Sequence, residues 1–253
     1  MTELEKIGKK PKKWHQKWWG VIFLLFVALV ILYAASFIYQ VVTLVEAQNQ
    51  LSLQNYSNNQ DVSLSTSLRN IVENPEAPYW GPAAAKIVIV EFSDFGCPYC
   101  KEADPILKRI RQEYQDYVRI IYRHFPNLAA HANALKAALA SECAAEQDKF
   151  WPYQDLLFAN QDNLAVENLN LIALNVGLDT TQFAQCLDSQ KYLAKVQNDM
   201  QDGLKLGING TPTYFINGIK VPGVIPYDAF KTVIEKLKQI EDLNSKSQSS
   251  NFK

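Results

Sequence analysis

The stretch VEFSDFGCPYC, residues 90–100, places two cysteines two positions apart, after an apolar run that ends in Glu91. A CxxC pair can hold a metal ion, lock a turn or exchange electrons with another thiol. Which chemistry applies depends on the surrounding elements. Residues 87–90 just before it are a short β-branched run with turn residues upstream, which predicts a strand buried on both faces.

The residues after the cysteines predict a helix and a second strand. Apolar positions 106, 107, 110 and 114 fall on one side of a helix, and YVRIIYRHF, residues 117–125, is rich in β-branched and aromatic residues. Strand, helix and strand imply a βαβ unit with a parallel sheet.

The rest of the chain predicts a helical block and then a hairpin. From residue 128 to about 207 the apolar spacings are helical, with no strand pattern between them. In TPTYFINGIKVPG, residues 211–223, the Asn217-Gly218 dipeptide predicts a tight hairpin turn. Residues 226–240 predict a final amphipathic helix.

The position of the cysteine pair between a strand and a helix gives the two sulfurs different roles. Cys97 would lie at the helix N-terminus, where unpaired N–H groups and the helix dipole stabilise a thiolate, so we predict that it is the nucleophile. Cys100, one turn further on, is placed to attack a mixed disulfide formed at Cys97. Pro98 suits the first helical turn because no N–H donor is needed there, and Tyr99 completes the CPYC motif.

Two further positions are candidates for the same site. Glu91 shares a face of its strand with Ile87 and Ile89, and a carboxylate in apolar surroundings is costly unless it has a task or a partner. It is either a proton acceptor beneath Cys100 or a strand-end residue that already meets solvent. Before a later strand stands Thr211-Pro212, which on bare sequence is an ordinary trans proline, since only about 5–6% of such bonds are cis.

Together these stretches resemble one branch of a known superfamily. GPAAAKIVIVEFSDFGCPYC, followed much later by GINGTPTYFINGIKVPG, is similar to the DsbA-like branch of the thioredoxin superfamily, whose members carry a helical domain inside a thioredoxin fold. ECAAEQDKFWPYQDLLF and FAQCLDSQKY add to the resemblance, which covers about residues 78–240. It implies an α/β thioredoxin domain at residues 78–241 with a helical insertion at about 128–207.

The resemblance also implies roles for the residues of the site. Cys97 is expected to be the surface nucleophile, Cys100 its resolving partner and Glu91 the buried carboxylate. Thr211-Pro212 is expected to form a cis-proline loop that faces the disulfide and pairs with substrate backbone. No cofactor is implied beyond the redox-active Cys97–Cys100 disulfide, and the expected reoxidant is a quinone-linked membrane protein.

The two remaining cysteines, Cys143 and Cys186, lie in helical patterns that point them toward a core. The simplest interpretation is two small buried hydrophobic side chains. If Cys97 pairs with Cys100, however, the pairing that remains is Cys143 with Cys186, and an oxidising compartment would favour its closure. We therefore expect a structural disulfide between them.

The N-terminal segment predicts a membrane anchor. Residues 1–17 contain six lysines and two glutamates, and residues 18–45 are 28 uncharged residues, enough for a helix to cross a bilayer of about 30 Å. Trp18, Trp19 and Tyr39 lie near its ends, where amphipathic rings favour the membrane interface. A cleaved signal peptide is the alternative, but its apolar region is usually only about 7–15 residues long. We predict an uncleaved transmembrane helix over residues 18–45.

The charge distribution predicts a topology and excludes one class of partner. The lysines precede the span and the next basic residue is Arg69, so the positive-inside rule keeps residues 1–17 in the cytoplasm and places the rest in the periplasm or extracellular space. Beyond the span lie 19 of the 25 basic residues and 24 of the 26 acidic residues. Acidic residues therefore outnumber basic ones there, and there is no basic stripe for nucleic acid. Residues 46–77, rich in Gln, Asn and Ser, predict an unfolded or loosely helical tether, and residues 242–253 a polar tail.

These features favour a membrane-anchored thiol:disulfide oxidoreductase that forms disulfide bonds in exported, cysteine-containing proteins. A reductase or isomerase of the same fold is the alternative within redox chemistry. A metal-binding module is disfavoured because structural zinc usually requires two CxxC pairs or nearby histidines, whereas Cys143 and Cys186 are separate residues in helical patterns. The intact CPYC motif disfavours a catalytically silent binding or chaperone domain.

Overall fold

The computed structural model describes residues 21–23, 25–29, 31–33, 36, 40 and 66–250. The chain divides into two units, Met1–Ser63 and Leu64–Lys253. The described residues between 21 and 40 are helical. The predicted cytoplasmic tail and most of the span predicted at residues 18–45 lie outside the described residues. Within the described part of the chain, no helix combines the length and apolarity needed to cross a membrane.

The second unit alternates strands and helices and then becomes purely helical before its final hairpin. In chain order its elements are α1 (Thr66–Val72), β1 (Tyr79–Trp80), β2 (Ile87–Ser93), α2 (Pro98–Glu113), β3 (Val118–His124), α3 (Ala134–Ala145), α4 (Phe150–Ala159), α5 (Val166–Asn175), α6 (Thr180–Asp188), α7 (Leu193–Lys205), β4 (Thr213–Ile216), β5 (Ile219–Pro222) and α8 (Tyr227–Ser250).

The strands form one mixed sheet in the order β1-β3-β2-β4-β5. Strands β2 and β3 are parallel and joined through α2, so the predicted βαβ unit is confirmed. The other neighbouring strands are antiparallel. Asn217 and Gly218 both have positive φ, of 46° and 86°, as the predicted tight turn between β4 and β5 requires. The α/β thioredoxin-like fold predicted from the sequence is confirmed.

Each face of the sheet is covered by helices, which explains why every residue of β2 is buried. Alternate residues of β2 point to opposite faces. Ile87 and Ile89 pack on one face with Leu107 of α2 and Ile234 of α8. On the other face, a second apolar cluster consists of Val72, Ala77, Val88, Val90, Phe92, Ile121, Ile208 and Phe215.

Helices α3 to α7 lie between β3 and β4 in the chain, where the helical insertion was predicted. They share an apolar core to which α4 contributes Tyr153 and Leu157, and α6 contributes Phe183. A disulfide joins Cys143 of α3 to Cys186 of α6, with an S–S distance of 2.01 Å. The pairing expected from the sequence is therefore the one that the structure contains.

Two boundaries differ from those predicted. Residues 66–72, placed in the tether, form α1, whose Val72 is fully buried in the sheet cluster. The folded unit therefore begins before residue 78, because apolar residues near the end of the polar segment pack on the sheet. At the other end, α8 continues to Ser250 through most of the predicted polar tail. Residues 227–250 contain neither Pro nor Gly to end the helix.

Candidate active site

Cys97 lies between β2 and α2 and is the residue that caps the N-terminus of α2. Its backbone is extended, with φ −81° and ψ 123°. Pro98 then occupies the first helical turn, where an N–H would have no partner within the helix, so the lack of one costs no hydrogen bond. Cys97 and Cys100 are both buried, free thiols. Tyr99 between them is 62% exposed, so it lies at the surface beside the sulfurs.

The surroundings separate the pKa values of the two thiols. A hydrogen bond from the Cys100 thiol lowers the pKa of Cys97 from 9.0 to about 5, and the backbone N–H groups of Tyr99 and Cys100 at the helix start contribute to this shift. Partial burial of Cys97 opposes it. Burial, the neighbouring Cys97 and the charge of Glu91 raise the pKa of Cys100 well above its ordinary value. The pair therefore consists of a stabilised thiolate and a protonated thiol.

The loop before β4 lies against the sulfur of Cys97. The Thr211-Pro212 peptide bond is cis. In the thiol form, the Sγ of Cys97 donates to the carbonyl oxygen of Thr211 at 3.3 Å. The side chain of Thr211 contributes to the lowered pKa of Cys97. The structure thus brings Thr211 and Pro212 together with the CPYC motif.

Glu91 is 1% exposed, so its interpretation as a strand-end residue in solvent is wrong. Strand β2 continues past it to Ser93, and Glu91 pairs across the sheet with Tyr122 of β3 and Tyr214 of β4. Burial raises its pKa to about 8; the Ser93 hydroxyl opposes the shift, and the Asp104 carboxylate adds to it. The charge of Glu91 also contributes to the raised pKa of Cys100, so the ionisation of the carboxyl group and that of the thiol influence each other.

Asp94, which is not among the site residues predicted from the sequence, links the active-site loop to the loop that follows β3. Its Oδ1 accepts from the N–H of Gly96 at 2.7 Å, and its Oδ2 accepts from the N–H of Asn127 at 2.8 Å and contacts Nδ1 of His131 at 2.7 Å. A side chain at Gly96 would place its Cβ 2.5 Å from the Cβ of His131, so that position requires glycine. Asp two positions before Gly is a turn signal that could have pointed to this role.

Gln161, in the turn after α4, connects the helical insertion to the site. Its Nε2 donates to the carbonyl oxygens of Phe95 at 2.8 Å and of Cys97 at 2.9 Å. These contacts depend on tertiary packing, and no local motif marks the residue. Among the described residues, no three His, Cys, Asp or Glu side chains are grouped so that they could hold a metal ion.

A cysteine of lowered pKa at a helix start, a second thiol behind it and a facing cis-proline loop on this fold are the features of a thiol-disulfide oxidoreductase of the DsbA-like kind. The chain belongs to the family described as Thioredoxin, whose model, Thioredoxin_4, matches residues 73–236.

Two solved structures share the fold. A thioredoxin-like oxidoreductase from Silicibacter pomeroyi DSS-3 is 27% identical with a TM-score of 0.61, and the match covers 68% of this chain and 98% of that one. The α-DsbA1 protein of Wolbachia pipientis is 28% identical with a TM-score of 0.62, and the match covers 70% of this chain and 99% of that one. The described catalytic unit therefore corresponds to nearly the whole of these proteins.

A curated relative carries a different name. The Na(+)/H(+) antiporter NhaA 1 of Mycolicibacterium vanbaalenii is 40% identical over 147 residues, which are 57% of this chain and 24% of the antiporter. The chain thus spans about a quarter of the length of the curated relatives it matches. Because three quarters of the antiporter have no counterpart in the match, the activity in its name is not carried over to this chain.

Proposed function

We propose that this protein is a thiol:disulfide oxidase that forms disulfide bonds in exported proteins with free cysteines. The observation that carries the proposal is the position of Cys97 at the start of α2 and against Thr211, which with the Cys100 thiol lowers the pKa of Cys97 to about 5, while the pKa of Cys100 is raised. A stabilised Cys97 thiolate favours the reduced enzyme, so the oxidised enzyme passes its disulfide readily to other thiols. The solved relatives named as oxidoreductase and DsbA support the assignment.

In the proposed cycle, a client thiolate attacks Cys97 of the Cys97–Cys100 disulfide. The disulfide breaks, a mixed disulfide forms at Cys97, and Cys100 leaves as a thiolate that takes a proton from Glu91. A second client thiolate then attacks the client sulfur of the mixed disulfide and expels Cys97 as its stabilised thiolate. The client loses two electrons and gains a disulfide, and the enzyme ends as a dithiol. By family resemblance, a quinone-linked membrane protein then takes the two electrons from the dithiol.

The first test replaces Cys97. The Cys97→Ser variant should lose both thiol oxidation in a reduced peptide with two cysteines and reduction of insulin, while Cys143 and Cys186 stay paired. Retained turnover in this variant would refute the assignment of the nucleophile.

The direction of electron flow is tested by the reduction potential of the Cys97–Cys100 pair in glutathione buffers. An oxidase should have a potential above about −200 mV, toward that of DsbA at about −120 mV. A potential near about −270 mV, which is that of thioredoxin, would contradict the oxidase and favour a reductase of the same fold.

We also propose that residues 18–45 anchor the protein in the cytoplasmic membrane, with the catalytic unit in the periplasm or extracellular space. The support is the 28 uncharged residues that follow the lysine-rich segment. The full chain should stay with membranes after alkaline carbonate extraction, and a chain without residues 1–45 should not. Release of the full chain by carbonate would contradict the anchor.

A further inference from the structure

Asp94 is the first residue after β2, and its main chain contacts both cysteines of the site. The pairing of β2 with its two neighbouring strands ends at Ser93, so the N–H of Asp94 lies beyond the sheet. That N–H donates to Sγ of Cys100 at 3.5 Å. The carbonyl oxygen of Asp94 accepts from the N–H of Cys97 at 3.0 Å. The position of this one residue therefore bears on both reacting cysteines.

The side chain of Asp94 fixes this main-chain arrangement from two directions. Asp94 is 1% exposed, and its Oδ1 closes a tight turn by accepting from the N–H of Gly96 at 2.7 Å. Its Oδ2 accepts from the N–H of Asn127 at 2.8 Å and contacts Nδ1 of His131 at 2.7 Å. A buried carboxylate is costly unless its oxygens are hydrogen-bonded, and here both oxygens have partners. The carboxylate therefore holds its own peptide group in one place.

The loop that receives the carboxylate is closed by hydrogen bonds of its own. The carbonyl oxygen of Asn127 accepts from the N–H of His131 at 2.9 Å. The side-chain Oδ1 of Asn127 accepts from the N–H groups of Ala129 and Ala130, both at 3.2 Å. The two groups that hold Oδ2 of Asp94 are thus joined to each other, and the carboxylate binds to a preformed turn.

The exchange reaction places a negative charge on the sulfur that the N–H of Asp94 contacts. When a thiolate attacks Cys97, the bond to Cys100 breaks, and the rate depends on how well Cys100 leaves. Cys100 is fully buried, so a charge on its sulfur is unfavourable without a hydrogen bond. A donor that is already fixed against the sulfur needs no reorganisation as the charge develops. The N–H of Asp94 meets this requirement.

We propose that Asp94 is a positioning residue of the exchange reaction: its carboxylate holds its own N–H against Cys100, and this N–H stabilises the leaving thiolate. The inference rests on the proposed function, because it concerns the departure of Cys100 in that cycle. In this step the client sulfur bonds to Cys97, the Cys97–Cys100 bond breaks, and its electron pair stays on Cys100. The N–H of Asp94 donates a hydrogen bond throughout and transfers no proton.

Reduction of the Cys97–Cys100 disulfide by dithiothreitol measures the step in which Cys100 leaves. The oxidised full-length enzyme is mixed with dithiothreitol and quenched in acid, and the free thiols of this pair are counted by alkylation and mass spectrometry. Asp94→Ala removes all contacts of the carboxylate and should slow the reduction about tenfold, the low end for a lost hydrogen bond to an ion. Asp94→Asn keeps an oxygen for Gly96 but not the acceptor for Asn127, and should slow it about threefold.

Alkylation of Cys97 by iodoacetamide in the reduced enzyme separates this role from a general disturbance of the site. Only Cys97 reacts there and Cys100 does not leave, so both Asp94 variants should stay within about twofold of the wild-type rate.

Asp179 of the insertion provides the matched control. Its carboxylate accepts from the N–H groups of Thr181 and Gln182 at 2.9 Å and 3.0 Å, so Asp179→Ala removes the same kind of contact at the start of α6. Asp179→Ala should keep both rates within about twofold of wild type.

Three results would overturn the role of Asp94. These are a wild-type rate of disulfide reduction in Asp94→Ala, equal slowing of reduction and alkylation, and equal slowing of reduction by Asp179→Ala. If Asp94→Ala does not fold, Asp94→Asn decides alone, and a reduction rate within about twofold of wild type would overturn the role. A wild-type disulfide that does not react with dithiothreitol would instead refute the proposed function.

Discussion

The sulfur of Cys97 lies 3.3 Å from the carbonyl oxygen of Thr211, a residue 114 positions further along the chain. The helix start and the cis-proline loop therefore meet at one atom. Together with the Cys100 thiol and the N–H groups of α2, Thr211 stabilises the thiolate of Cys97. This convergence explains how a buried cysteine can remain ionised near neutral pH.

The first prediction concerns the hydrogen bond from Cys100, which lowers the pKa of Cys97 most. In Cys100→Ala the donor is lost, so the pKa of Cys97 should rise from about 5 and its alkylation by iodoacetamide should slow about tenfold on the acid side of neutrality. Cys100→Ser is the matched control, since its hydroxyl can still donate. Equal alkylation profiles for the Ala and Ser variants would show that the bond does not stabilise the thiolate.

The second prediction concerns Glu91, whose pKa of about 8 in the folded protein lies above its ordinary value of 4.5. The folded state therefore holds a proton that the unfolded state loses as pH rises between these values, so Glu91 makes the fold less stable across this range. Glu91→Gln removes this penalty. Above about pH 8 the variant should be more stable than wild type by up to roughly 5 kcal/mol, and at pH 4.5 the difference should be small.

Urea unfolding of the reduced proteins at several pH values measures this difference. Cys97 titrates in the opposite sense, since its pKa is lowered on folding, but it is present in both proteins and cancels in the comparison. Glu102→Gln, which changes an exposed carboxylate of α2, is the control and should leave the pH dependence unchanged. A Glu91→Gln difference that does not grow with pH would contradict the raised pKa.

The residues of the site differ in how far the sequence could predict them. Cys97, Cys100 and Thr211-Pro212 belong to local motifs, and their placement at a helix start and before a strand follows from the neighbouring residues. The sequence left two interpretations of Glu91 open because they depend on how far β2 extends beyond Val90. The structure resolves this by continuing the strand to Ser93 and covering it on both faces.

Other positions could not be predicted because they depend on register. Tyr214 lies opposite Glu91 only because β2 and β4 pair antiparallel, and the helical insertion separates these two strands in the chain. Asp104 looks like an ordinary surface residue of an amphipathic helix until the packing of α4 places Gln154 beside it. Propensity and periodicity describe single elements, whereas these contacts arise between elements.

The third prediction concerns the Cys143–Cys186 disulfide, which joins α3 to α6 across a sequence separation of 43 residues. Closing a loop of this length should stabilise the fold by about 4 kcal/mol in the chain-entropy model. Cys143→Ala, Cys186→Ala and the double variant should all lose about this amount, because the same single bond is lost in each. Urea unfolding under oxidising conditions measures the loss, and additive losses in the double variant would contradict a bond between the two.

The fourth prediction concerns Arg123 of β3, a fully buried cation. Its Nε donates to Asp199 of α7 at 2.6 Å and its Nη2 to Asp202 at 2.8 Å, while Nη1 donates to the carbonyl oxygens of Ile71 and Val72 in α1. The side chain of Arg123 therefore links α7 of the insertion and α1, which precedes the sheet, to β3.

Arg123→Leu would leave Asp199 buried without its main partner, and removing one member of a buried ion pair usually costs about 3–5 kcal/mol. Arg69→Leu is the control, because Arg69 pairs with Glu73 at the surface of α1, where such pairs contribute about 0–1 kcal/mol. The double variant Arg123→Leu/Asp199→Leu should be more stable than Arg123→Leu alone, since no charge is then buried unpaired, although the N–H of His124 also loses its acceptor. Urea unfolding of wild type, Arg69→Leu, Arg123→Leu and the double variant measures these differences in the free energy of unfolding. A loss of stability in Arg123→Leu no larger than that in Arg69→Leu would mean that the buried cation does not hold the two helices to the sheet.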